Sequence, residues 1–235
     1  MSDKLNDFIY SANSINTYRL CPLKYKYKYI DKVSWKYDEV HSREYYKGLE
    51  SGREFHLICE RYFSKIPLGL DHLNNNEFKV WIDKIKKLIP LDKDYEIIPE
   101  YEVRFRLNEY EIQAKYDLLV INQNNIEIWD WKTESNKIDY KNVVDRIQTK
   151  IYMMIAREVI PKIKNIDEKN INIKMNYYQP RYESNPIQIE YSDEMHRKNI
   201  VDINNIIKNM NKNTYEDEKN IKHCKYCEFK KLCEK

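Results

Sequence analysis

Glycine is almost absent, three residues among 235, and its rarity makes its placement informative. Gly48 and Gly52 stand four apart in a stretch, residues 44–66, that otherwise reads as helix, where each costs about 1 kcal/mol against alanine. The chain also lacks any apolar run near the ~20 residues of a membrane-spanning helix. Its first residues, MSDKLNDF, hold no signal-peptide core, so the expected location is the cytoplasm, with no membrane partner. An excess of one charge is missing too: 41 basic against 38 acidic residues leave a net +3. Overall charge therefore does not announce a nucleic-acid binder, and any basic surface must be local. Five cysteines without a leader argue against a disulfide framework and for metal binding or thiol chemistry. No internal repeat or separable second domain appears, so residues 1–235 are expected to form one domain, with 44–191 as its core.

What is present centres on AKYDLLVINQNNIEIWDWKT, residues 114–133. Two apolar-rich runs, 116–121 and 126–131, flank a polar turn at 122–125, the pattern of a hairpin. Asp117 begins the first run and Asp130 ends the second, so antiparallel pairing brings them together at one end of the sheet. Lys132, two residues beyond Asp130, shares its strand face. Two carboxylates and an amine suit Mg²⁺ or Mn²⁺, whose bound water can be activated toward a phosphodiester, with Lys132 orienting that water or offsetting charge on the phosphate. The competing reading makes Asp130 and Lys132 a surface ion pair.

Around this hairpin, Ser14 is expected to cap a first helix, and Pro22 after Cys21 marks a break or a fresh helical start. Lys24, Lys26 and Lys28 then alternate with Tyr25, Tyr27 and Tyr29. A basic run interleaved with aromatics suits a single-stranded nucleic acid, and equally a solvated face over a tyrosine-rich core. In the helix at 44–66, His56 and Glu60 follow Gly52 at four-residue steps on one face, and Cys59 reads as a small buried residue. A polar linker at 70–76 and an amphipathic helix at 77–88 precede a period-two stretch through Ile98, Tyr101, Val103, Phe105 and Leu107, which with the hairpin forms a three-stranded meander. Glu100 and Glu102 share a face of its first strand. A helix at 141–160 has its apolar stripe flanked by Gln148 and Tyr152. Strands at 171–178 and 187–191 and a helix at 193–210 lead into Cys224-x2-Cys227-x5-Cys233.

The joint order of Cys21-Pro22, Gly52-x3-His56, Asp117, Asp130-Trp131-Lys132-Thr133, Gln148-x3-Tyr152 and the cysteine cluster resembles the RecB-like branch of the PD-(D/E)XK nuclease superfamily. The similarity is greatest to its iron-sulfur members, the AddB-type nuclease domains and the CRISPR-associated adaptation nucleases. That resemblance implies an α/β fold of restriction-endonuclease type, a mixed central sheet flanked by helices. It implies a metal held by His56, Asp117, Asp130 and the Trp131 carbonyl, with Lys132, Gln148 and Tyr152 as further catalytic residues; Glu60, Glu100 and Glu102 receive no role. It implies DNA as partner, single strands or resected ends as exonuclease substrate, and CRISPR-adaptation or recombination and repair proteins as associates. Cys21, Cys224, Cys227 and Cys233 can close a zinc site or hold a 4Fe-4S cluster, and the resemblance favours the cluster, with 14–30 and 217–235 forming its subdomain. The contrasting reading is a non-catalytic module that binds DNA or a protein partner.

Overall fold

A computed structural model describes residues 7–34, 40–70, 76–91, 95–215, 224 and 227–233. The expected linker at 70–76 and the ends of the 217–235 segment fall mostly outside them. The core is a mixed six-stranded sheet. Strand β3 (Tyr110–Asn122) pairs antiparallel with β2 (Glu96–Leu107) along one edge. Its other edge carries the short parallel β1 (Ile9–Tyr10) at the start and β4 (Asn125–Trp131) at the end. Parallel β5 (Asn172–Tyr178) follows β4, and antiparallel β6 (Ile187–Glu190) closes the sheet. The meander and the mixed sheet flanked by helices are as the sequence pattern implies.

Two apolar cores lie on opposite sheet faces. On one, α6 (Ile147–Lys164), α1 (Ala12–Leu20) and α7 (Asp193–Lys212) cover Ile112, Tyr116, Ile126 and Ile128. On the other, α3 (Val40–Phe63) and α4 (Asn76–Leu88) use Phe55, Ile58, Phe63, Phe78, Trp81 and Ile85 to cover Leu118, Val120, Trp129 and Trp131. The alternation of β4 is therefore clean: Ile126 and Ile128 face α6, while Trp129 and Trp131 face α3.

β3 breaks that alternation. Ile112, Ala114 and Tyr116 face α6, yet so do Leu119 and Ile121, and Leu118 and Val120 face α3. The strand steps by one residue at Asp117. β2 makes the matching step at Glu100, whose φ of 49° is left-handed, so the register holds on both sides, Pro99 opposite Leu118 and Tyr101 opposite Tyr116. Asp117 and Glu100 stand at that step.

Several local expectations change. Ser11, in extended conformation, caps α1, and Ser14 is its reciprocal partner three residues on: each hydroxyl accepts from the other's backbone N–H. Pro22 is a fresh start, at the first position of α2 (Pro22–Tyr25), which runs into a π-helical turn, Lys26–Ile30. The expected helix at 141–160 is two: α5 (Tyr140–Val144), capped by Asp139, and α6, begun at an extended Arg146. The Thr149 hydroxyl donates to the Val143 carbonyl released at that break, at 2.5 Å.

Candidate active site

The sheet positions the chemistry where β3 and β4 part company. The last registered pair before the gap is Leu118 with Trp129; one step further, Asp117 replaces the ladder with its side chain, Oδ2 accepting from the Trp131 N–H at 2.9 Å. Trp131 is held by its neighbours, stacked on Phe63 at 6.1 Å and edge-on to Tyr178, and its carbonyl is thereby aimed at α3. There His56 presents both ring nitrogens, Nε2 at 3.0 Å from the Trp131 carbonyl oxygen and Nδ1 at 3.3 Å from Asp117 Oδ1. Both neighbours are acceptors, so the imidazolium form satisfies them together. Burial works against that charge, but the Asp117 carboxylate and its hydrogen bond outweigh it and raise His56 to about 9.

Asp130 follows Ile126 and Ile128 on the α6 side, where it is buried at 2% exposure. Burial pushes its carboxyl up, against the opposing pull of Lys132. Its Oδ2 lies 2.6 Å from Lys132 Nζ, and its Oδ1 accepts from Gln148 Nε2. Gln148 Oε1 in turn accepts from Lys132 Nζ at 3.1 Å, so one amide holds both ends of the acid–lysine pair. Burial disfavours the Lys132 ammonium, yet Asp130 and Asp117 more than compensate and raise its pKa. Tyr152, one turn along α6, packs edge-on against Tyr116, with its phenol raised by burial and by the two aspartates, and hydrogen-bonded to Gln148. After Lys132 the chain is pinned by buried Gln179, whose amide donates to the Glu134 and Asn136 carbonyls while its oxygen accepts from the Ile138 N–H.

His56, Asp117, Asp130, Trp131, Lys132, Gln148 and Tyr152 line one cavity of about 760 Å³ between α1, α3 and the sheet end. The predicted residues divide within it: His56, Asp117 and the Trp131 carbonyl gather on the α3 side, Asp130, Lys132, Gln148 and Tyr152 on the α6 side. Gly52 explains how α3 comes so near, since a Cβ there would stand 3.1 Å from Thr133 Oγ1. Around Gly48 nothing lies within 4 Å, so its missing side chain leaves the cavity wall open.

Sequence reasoning passed over Glu100. One donor atom each from His56, Glu100 and Asp117 fall within 4.8 Å of one another. Period-two reading placed Glu100 with Glu102 on one face of the strand, and both line the cavity; Glu100 differs in its left-handed backbone, directly after Pro99, a residue that marks irregular or edge strand positions. An imidazole with hard carboxylate and carbonyl oxygens is a donor set that fits Mg²⁺ or Mn²⁺.

The lysine–tyrosine run lies away from this cavity. Tyr25 has no exposed surface and packs among Phe8, Tyr18, Tyr29 and Tyr215, so it has no face for a base and is removed from the nucleic-acid set. Lys24 pairs with Glu228 at 2.7 Å, Lys26 with Asp31 at 2.5 Å, and Tyr27 packs on Phe229 at 5.6 Å. Lys28 is exposed. None of the five lines the cavity. The run instead docks the C-terminal cysteine segment: Cys21 and Cys227 are both buried, and burial raises the Tyr27 phenol with Cys233 and Cys21 near enough to add to it.

Residues 9–234 match the PD-(D/E)XK nuclease superfamily. The chain belongs to that superfamily. Among solved structures, this nuclease resembles a proposed exonuclease from Eubacterium rectale at a TM-score of 0.55 and 10% identity, over 96% of this chain and 89% of that one, a likeness of fold. The protein SSO0001 aligns at a TM-score of 0.44 and 14% identity over 97% of this chain and 86% of that one. A partial sequence likeness, 26% identity over 136 residues, joins 57% of the nuclease to 16% of the length of kojibiose phosphorylase from Caldanaerobacter subterraneus subsp. tengcongensis. No helix among the described residues is long and apolar enough to cross a membrane.

Proposed function

We propose that this nuclease is a metal-dependent DNA exonuclease acting on single strands or resected ends, working as one domain around the β3–β4 gap. The observation that carries the reading is the convergence of His56, Asp117 and the Trp131 carbonyl with the Asp130–Lys132–Gln148 triangle on one cavity. His56, Asp117, Asp130 and the Trp131 carbonyl would hold Mg²⁺ or Mn²⁺, which supplies a Lewis acid for the phosphodiester and acidifies a bound water. The remaining work belongs to the chain. Lys132, ion-paired to Asp130, keeps its proton and acts as a donor, orienting the attacking water or neutralising charge that grows on the phosphate oxygens. Gln148 fixes the direction of that donor. Gly48 lines the cavity from α3 with open space around it.

End-labelled single-stranded DNA with Mg²⁺ or Mn²⁺ tests this: the wild type should release short products from an open end, spare a circular strand, and lose the activity in Asp130→Ala. Equal cleavage by the variant removes the assignment, and cleavage of the circle removes the exonuclease part.

Cys21, Cys224, Cys227 and Cys233 are assigned to a 4Fe-4S cluster, with 14–30 and 217–235 as its subdomain. Support comes from the Lys24–Glu228 and Tyr27–Phe229 contacts, which hold the two cysteine-bearing segments together. Freshly isolated protein is expected to be brown and iron-loaded, and Cys224→Ala to be colourless. Colourless wild-type protein carrying one zinc per chain replaces the cluster with zinc.

A further inference from the structure

We infer that Glu100, on β2, is a further ligand of the catalytic cation, an inference that rests on the metal-centre reading above. Glu100 lies in the middle of a twelve-residue strand, yet its φ is 49°, a conformation that disfavours any side chain with a Cβ. Such backbone persists where its surroundings over-determine it, and functional sites are where it gathers. The placement here is specific: Glu100 and Asp117 stand at the shared step, and donor atoms of these two and of His56 on α3 come within 4.8 Å of one another. Two oxygens bound to one Mg²⁺ stand at most about 4.2 Å apart, so small side-chain adjustments close the set.

A neighbouring acid sharpens the assignment. Glu102 lines the same cavity from the same strand, but its side chain is 45% exposed and its ion-pair partner is Arg104 at 3.6 Å. Glu100 is 20% exposed and meets Lys115 at 2.5 Å through Oε2, which leaves its carboxylate a second oxygen for a cation. Lys115, across the strand pair and more than half exposed, is the counter-charge that holds the carboxylate in place.

The test is Mn²⁺ titrated into the full chain and followed by loss of the free-ion paramagnetic resonance signal, a readout independent of cleavage. Glu100→Gln should weaken Mn²⁺ binding by about tenfold or more, and Glu102→Gln should leave it within about twofold. Glu100→Gly should match Glu100→Gln, because glycine accepts the left-handed backbone and the fold is spared. Wild-type affinity in both Glu100 variants, alongside lost affinity in Asp117→Asn, would make Glu100 a partner of Lys115 alone and overturn the inference. Equal Mn²⁺ binding by wild type and Asp117→Asn would instead overturn the metal centre on which it rests.

Discussion

Lys132→Met is expected to lower phosphodiester turnover by about 100- to 1000-fold, and to weaken the fold by about 3 kcal/mol. The second effect follows from burial. Asp130 is 3% exposed at its side chain and Lys132 17%, so removing the ammonium leaves a carboxylate with little water and one amide to face. Breaking a buried pair from one side costs more than the pair is worth, since the survivor keeps its desolvation penalty. The double variant Asp130→Asn/Lys132→Met removes that penalty: the new amide oxygen can still accept from Gln148, and no buried charge remains. Its denaturant midpoint should return most of the way to wild type while turnover stays lost. A Lys132→Met protein as stable as wild type would show that the pair is solvated and does not hold the fold, and unchanged turnover would remove its part in the chemistry.

Much of this was legible in the amino-acid order, for identifiable reasons. The hairpin at Asp117–Asp130 is written in period-two alternation around a polar turn, and antiparallel pairing leaves no freedom about which ends meet. Gly52 and His56 were readable because a helix charges for glycine and the four-residue step is rigid. Cys59, expected as a small buried residue, sits 1% exposed on the core-facing side of α3. What stayed hidden depends on tertiary context. A lysine–tyrosine alternation is the same string whether its aromatics meet a base or a core; tertiary packing is what puts Tyr25 in the core and pairs Lys24 with Glu228. The division of the helix at 141–160 turns on Arg146, which nothing marks as a breaker in sequence.

The same limit governs the acids. Alternation assigns every second residue of a strand to one face, and it places Glu100 and Glu102 alike. A matched step in two paired strands preserves the register, so no mismatch of hydrophobic pattern between them betrays it. The step does leave one trace within β3: Leu118, Leu119, Val120 and Ile121 are all buried, a run of four where a half-covered strand would alternate, because this end of the sheet is sandwiched between α3 and α6. Asp117 sits at the boundary between the alternating half and the doubly covered half. Position at that boundary is what gives it a helix on one side, an open cavity beside it and a backbone N–H to hold it.

That placement makes Asp117 the residue through which ion binding should register in stability. An ion present at 100 times its dissociation constant stabilises a folded chain by about 2.7 kcal/mol, which for a protein of this size raises the unfolding midpoint by about 5–10 °C. Mg²⁺ or Mn²⁺ added to chelator-treated wild type is expected to give a rise of that order, and Asp117→Asn to give almost none. The asparagine keeps an acceptor for the Trp131 N–H but loses the charge facing His56 and the cavity, so its metal-free midpoint should fall somewhat, and the quantity to compare is the rise each protein shows when the ion is added. Unfolding midpoints that ignore the ion in both proteins would mean that the imidazole and the carboxylates are satisfied by one another. His56 would then be a fixed imidazolium tying α3 to the end of β4, and the cavity would have no hard-ion site on its α3 wall.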